Sequence, residues 1–462
     1  MKVVHALKLT VAVMIGMVSL SYGEYTWEYS ERVKCQVGGD VRLRLTHFDR
    51  NVVSPEWGRP IFGTEDGPAL EYIRVRERLW GCVDIDENKH LRIRLVNRWH
   101  HFSSNIGPDN NPDDGSSWRF PDEVIIDQLN LGIDNIFGSN WSLTIGRQDV
   151  MLGNGMIVLE GTPYDTGRTI YFDGVMATYA KGKNEVKLFG FYNDYKDKTV
   201  FINDQNRRLR RGDTWLAGVY WTHKMNSCFN SDLYYMFIDI DDDRPNTAER
   251  NHPADENAQL DIIGARVFGS LNPQVDYSLE VAKQRGERME NADFTGIMAD
   301  ARLRLKAKEG TPLAPSLDLE YTYFSGNDPD SNDEFEGWHP AFAEYPIWRD
   351  ELVPIMLNGN WTNLSQYRAG LNLNLYDSEK VGVRFSGAWA VLLADYGDQA
   401  LVNAPGGGGG DNIGHLCSGF LDVALKDYST NISLQASHFE PGNYWLDGQA
   451  SEWLRFEMVY TF

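Results

Sequence analysis

Long apolar runs are absent from most of this chain. Beyond residue 23 no stretch of about 18 apolar residues occurs, which excludes a helical membrane span there. Cysteine is scarce: Cys35, Cys82, Cys228 and Cys417 are too widely spaced for a zinc site or a disulfide scaffold. Basic residues are outnumbered, with 44 Lys and Arg against 66 Asp and Glu and a net charge of -22. That balance argues against a nucleic-acid partner, whose footprint is a basic domain. Catalytic signatures are missing as well: there is no Gly-x-Ser-x-Gly, no His-Glu-x-x-His and no phosphate loop. The chain is therefore expected to be neither an enzyme nor a cofactor carrier.

What is present is an alternation of arginine with aliphatic residues, written four times. It reads Val41-Arg42-Leu43-Arg44-Leu45, Ile73-Arg74-Val75-Arg76, Leu91-Arg92-Ile93-Arg94-Leu95 and Ala301-Arg302-Leu303-Arg304-Leu305. A strand sends successive side chains to opposite faces, so each copy has one apolar and one cationic face. A helix would scatter the same arginines around its circumference.

The N-terminus is a different kind of segment. Lys2 and Lys8 precede an apolar stretch from Leu9 to Leu20, and Ser21-Tyr22-Gly23 offers small residues for cleavage before Glu24. Residues 1–23 read as a secretory signal peptide and 24–462 as one domain. In that domain the pattern predicts eighteen strands: 33–49, 70–84, 90–102, 123–137, 140–150, 171–181, 185–196, 214–224, 228–240, 257–270, 273–286, 291–307, 315–326, 366–377, 380–394, 414–427, 430–440 and 451–462. Residues 154–160 could form a further piece inside a loop. The connections alternate. Long ones at about 50–69, 103–122, 151–170, 197–213, 241–256, 327–365, 395–413 and 441–450 are separated by tight turns such as Gly182-Lys183-Asn184 and Ser378-Glu379. An even count, turns at one end and loops at the other describe an all-β, up-and-down antiparallel transmembrane barrel of outer-membrane type. Cys82 falls on the arginine face and Cys35 on the opposite one, which argues against a bridge unless a bulge at Gly38-Gly39 flips Cys35.

The parity of the strands sharpens this. One parity is apolar in most of them, as in Leu317, Leu319, Tyr321 and Tyr323. The other is polar, as in Asp276, Ser278, Glu280, and in Asn431, Ser433, Gln435, Ser437. Apolar-out and polar-in with no free edge is the barrel solution in lipid, and eighteen strands leave an aqueous lumen. The lumen face is then expected to carry Arg42, Arg44, Arg74, Arg76, Arg78, Arg92, Arg94, Arg98, Arg302, Arg304, Arg368, Arg384 and Arg455. The first eight lie on three consecutive strands, where few acids share the same face. Lumen carboxylates at 232, 276, 280, 318, 320, 422 and 457 lie mostly elsewhere. Shallow, interchangeable guanidinium sites suit passive passage of an anionic solute.

Two stretches resemble the bacterial alginate export porin family. One is Ile145-Gly146-Arg147-Gln148 with Gly153-Asn154-Gly155, then Asp165-Thr166-Gly167-Arg168-Thr169 and Phe172-Asp173-Gly174-Val175. The other is the C-terminal end, Asp422 to Leu425, Leu434 to Phe439 and a last strand closing on Phe462. The resemblance implies an eighteen-stranded barrel in the outer membrane of a Gram-negative-type bacterium. It also implies an arginine-rich constriction passing uronate-containing polysaccharide. It adds Arg147 to the substrate path, although simple alternation points Arg147 outward and a bulge is required. Arg168 and Asp173 are expected to hold an inward-folded loop. The expected partners are outer-membrane lipid and lipopolysaccharide, an anionic saccharide and periplasmic export components. Acidic loops leave two other readings open: a general small-solute porin, and a secreted all-β carbohydrate-binding protein.

Overall fold

A computed structural model describes residues 24–48, 53–54, 59–60, 70–86, 88–102, 118–159, 171–194, 200–203, 213–241, 257–288, 292–328, 330–331, 334–343, 361–397, 409–445 and 450–462. Eighteen of its strands close into one antiparallel barrel. They are β1 (Val33–Phe48), β2 (Leu70–Ile85), β3 (Lys89–Phe102), β4 (Trp118–Ile133), β5 (Trp141–Gln148) and β6 (Phe172–Lys181). Then come β7 (Asn184–Asn193), β8 (Asp213–Lys224), β9 (Asn230–Asp241), β10 (Ala258–Asn272), β11 (Val275–Arg288) and β12 (Ala292–Lys306). The wall ends with β13 (Ser316–Phe324), β14 (Leu364–Asp377), β15 (Val381–Leu393), β16 (Asn412–Leu425), β17 (Thr430–Pro441) and β18 (Ser451–Thr461). Each strand pairs with its sequence neighbours, and β18 returns to β1 with Leu43 opposite Met458 and Leu45 opposite Phe456.

Closure leaves one problem at the turn end. β18 covers β1 only from Asp40 onward, so the first residues of β1 have a bare edge on that side. A strand at Tyr25–Ser30 fills it, with Tyr25 opposite Val37 and Trp27 opposite Cys35. Unpaired strand edges invite foreign strands, and this one is occupied by the chain's own N-terminal segment. The terminal residue also takes part: Phe462 and Gly39 exchange both backbone hydrogen bonds, at 2.7 and 2.9 Å.

The outward parity carries an exposed apolar band, including Leu91, Ile93, Leu129, Leu279, Leu319, Leu371, Leu434 and Leu454. On β1 and β2 the outward Val41, Leu43, Ile73 and Val75 are buried, packed with Trp99, Phe456 and Met458. Opposite parity in the turn-end half is polar. Towards the loop end of β9 to β12 the sense of the alternation reverses. There the inward Ile238, Leu260, Ile262, Phe294 and Met298 are buried, while Asp261, Lys283, Arg285, Glu287 and Asp293 face out and are exposed. Those ends of the wall have an apolar interior and a wet exterior.

The register across Gly38 and Gly39 is continuous, with Gly38 opposite Trp80 and Gly39 opposite Leu79. Gln36, not Cys35, faces Cys82, and all four cysteines are free thiols. Alkylation in denaturant without reductant is expected to label four cysteines per chain. Two thiols that stay protected until reductant is added would contradict this register. The segment 154–160 is not a strand where it is described: Val158 makes one isolated parallel bridge to Phe342.

Candidate functional site

Strand pairing sets arginines side by side. Arg42 is opposite Arg76, Arg76 is opposite Arg98, and Arg44 is opposite Arg74. Directly opposed like charges repel, so such rows need carboxylates nearby. The sequence pattern suggested that few acids share these strands; the structure supplies them from four places. Asp40, on β1 itself, accepts from Arg76 at 3.2 Å and Arg78 at 2.6 Å. Glu457 of β18 pairs with Arg44. A register shift in β4, opposite Arg94 and Leu95, turns the fully buried Asp127 towards Arg94 at 2.8 Å. Asp149, just past β5, reaches the same guanidinium at 3.0 Å. Arg455 bonds the hydroxyls of Thr46 and Tyr72, both at 3.2 Å, and its guanidinium lies 4.5 Å from the Trp453 ring. Arg74 lies over the Tyr72 ring at 5.2 Å. Arg42 and Arg98 are buried in the same wall.

The far wall repeats the device. Arg302 pairs with Asp300 at 2.8 Å, Arg304 with Asp318 at 2.6 Å and Arg368 with Glu320 at 2.9 Å. Arg92 and Arg384 differ: both are exposed, and neither forms an ion pair among the described residues.

Arg147 sits where alternation alone would send it outward. The required irregularity is Gly146, whose φ of 113° lies in the left-handed region that a side chain disfavours. Past that kink the Arg147 side chain is buried. It forms a two-pronged pair with Asp173 at 2.8 and 2.7 Å, donates to the Ile126 carbonyl at 2.8 Å and stacks on Tyr171 at 3.6 Å. Asp173 thus holds the corner where β6 begins. Arg168 lies outside the described residues.

Residues 149–159 cross the barrel interior. They leave β5 beside Arg94 and end against strands β10 to β12. Asn154 receives a hydrogen bond from Arg266 at 2.5 Å and donates to Ser278 at 3.0 Å and Asp300 at 3.4 Å. Behind it Arg266 is held by Asp232 at 2.6 Å, Tyr220 donates to Asp232 at 2.7 Å and Tyr234 to Glu280 at 2.8 Å. Met156, Ile157 and Val158 pack with Phe342, Trp338 and the inward apolar ends of the wall in one buried cluster. The reversed alternation on β9 to β12 is therefore the inner lining of a core made by infolded loops. Sequence reading missed this core. Its signal was there, in strands such as Leu260-Asp261-Ile262-Ile263, where apolar residues occupy both parities.

One inward row links the two mouths. It runs Asn374, Arg384, Asp422, Ser433, Glu457, Arg44 and Arg74, each opposite the next on adjacent strands from β14 to β2. Barrel strands tilt by about 35–45°, so a row along the hydrogen-bond direction climbs. Arg384 lies near the turn end of β15, and Arg74 near the loop end of β2.

A closed barrel of eighteen strands, apolar outside, polar in its turn-end half and with loops folded inward, is an outer-membrane channel. Its residues 37–454 match the model of the family described as alginate export. The chain belongs to that family. Solved structures with the same fold include OccK2 (OpdF) of Pseudomonas aeruginosa in complex with glucuronate. That match has a TM-score of 0.54 at 11% identity and covers 96% of this chain and 99% of that one. OccAB3 of Acinetobacter baumannii gives a TM-score of 0.54 at 12% identity, covering 92% and 99%. OccK5 (OpdH) of Pseudomonas aeruginosa gives 0.54 at 10%, covering 92% and 98%. No match was found among curated proteins.

Proposed function

We infer that this channel lets anionic saccharides pass by diffusion, uronate-containing oligosaccharides or polysaccharides foremost, along an arginine-lined lumen. The observation that carries this is the pair Arg92 and Arg384. Both are exposed on the inward parity and form no ion pair among the described residues. Guanidinium groups of this kind take carboxylates in two-pronged fashion and release them into water without a deep well. Family membership supports the same class of solute, and OccK2, of the same fold, holds glucuronate in its crystal structure.

The second reading is a small-solute porin without uronate preference. It is favoured by the ion pairs that neutralise Arg44, Arg76, Arg78 and Arg94. As partners we propose outer-membrane lipid and lipopolysaccharide around the apolar band, and periplasmic export components at the turn end. Planar-bilayer recording separates the two readings. Uronate transport predicts anion preference in a salt gradient and block by oligouronate at concentrations where neutral oligosaccharide has no effect. Arg74→Ala combined with Arg92→Ala is expected to move the reversal potential towards zero. An unmoved reversal potential counts against these side chains as part of the path.

A further inference from the structure

We propose that the cavity of about 510 Å³ at the turn end of β14 to β18 is a docking subsite for one hexuronate unit approaching from the periplasmic side. This deepens the reading above and rests on it.

The cavity originates in the sequence. Gly382 and Ala424 stand opposite each other on the inward parity of β15 and β16. With almost no side chain between them, the wall is hollow at that point. A Cβ placed on Gly382 would meet only ordinary contacts, Asp377 Oδ1 and Lys426 Cε at 3.7 Å and the Ala424 Cβ at 3.8 Å. The volume lies within the range of about 300–1,000 Å³ typical of small-molecule sites.

Its chemistry is mixed, and the mixture selects. Arg384 supplies an exposed cation with no ion pair among the described residues. Asn374, Asn431 and Ser433 supply amides and a hydroxyl that both donate and accept, the match for sugar hydroxyls. Asp422 and Glu457 also line the space and accept hydrogen bonds only when ionised. Lys426 is already committed at the rim, to Asp377 at 2.8 Å and the Ser378 carbonyl at 2.6 Å. A small inorganic anion gains Arg384 but meets the Asp422 carboxylate directly opposite it, while Glu457 is held by Arg44. A neutral sugar gains the amides and leaves the guanidinium unused. A sugar acid satisfies both sets at once, its carboxylate on Arg384 and its hydroxyls on the amides and acids.

The test is single-channel recording of the full-length protein, with hexuronate oligomers added to one side at a time. The Ala424→Phe variant fills the hollow without changing charge, and Arg384→Gln removes the cation. Heat-modifiable gel migration shows that each variant is folded. In both variants, block by oligouronate added on the periplasmic side is expected to weaken at least ten-fold relative to block from the other side. Asn431→Ala with Ser433→Ala is expected to weaken it in the same sense. Wild-type block that Ala424→Phe leaves untouched overturns the subsite alone. A wild-type channel that oligouronate does not block from either side overturns the uronate reading and the subsite with it.

Discussion

Arg147→Ala is expected to destabilise the folded barrel by about 2 kcal/mol, less than the loss of a fully buried ion pair, because the arginine is buried while the Asp173 carboxylate is partly open to water. The side chain does three jobs at once. It neutralises Asp173 with two hydrogen bonds, satisfies the Ile126 carbonyl and fills the space above Tyr171. Alanine leaves the carboxylate without its cation and the carbonyl without its donor, in a wall that also carries the kink at Gly146. Urea unfolding in detergent reads the effect as a lower midpoint. Arg147→Lys should recover only part of it, because an ammonium is a point charge that cannot reproduce the fork. If Arg147→Ala unfolds at the wild-type midpoint, the pair holds no structural weight.

The second large effect is expected at Arg266. Its guanidinium joins the wall to the infolded segment, bonding Asp232 on one side and Asn154 on the other. Removing it leaves the buried Asp232 uncompensated, a loss in the range of about 3–5 kcal/mol. It also frees Asn154 from one of its three anchors among the described residues. Because residues 149–159 cross the interior, Arg266→Ala is expected to raise mean single-channel conductance severalfold and to broaden its distribution. Asn154→Ala tests the same latch without an orphaned charge and should move conductance in the same direction, by less. Unchanged conductance in both variants would mean that the segment stays in place through its apolar contacts with Phe342 and its neighbours.

Much of the architecture was legible in the residues. Strand count, order and the two kinds of connection follow from period-two alternation and turn chemistry, and all eighteen barrel strands fall where the pattern places them. Boundaries moved most at β4, placed at 123–137 by pattern and observed at Trp118–Ile133. There Ile136–Gly138 is a short 3-10 turn, not strand. The rest depended on facts that parity cannot carry. Asp127 reaches Arg94 only because a register shift turns it inward. Asp149 does so from a loop, and Glu457 through closure of the first strand on the last. The apolar interior on β9 to β12 was hidden for a related reason. Alternation tells which residues share a face, but not which part of that face meets lipid, water or an infolded loop.

The climbing row from Arg384 to Arg74 has a consequence for the length of what passes. These two cations stand five strand spacings apart, about 24 Å along the wall. Asp422 and Glu457 lie between them. On the proposed function, a single sugar acid would engage one end at a time, with Asp422 and the Arg44–Glu457 pair in between. A uronate chain long enough to span the interval would hold the second guanidinium before releasing the first, so its second contact would form at high effective concentration. Avidity would then rise with polymer length. Because the row winds around the barrel as it climbs, a chain that follows it turns about the pore axis as it advances, like a bolt in its thread.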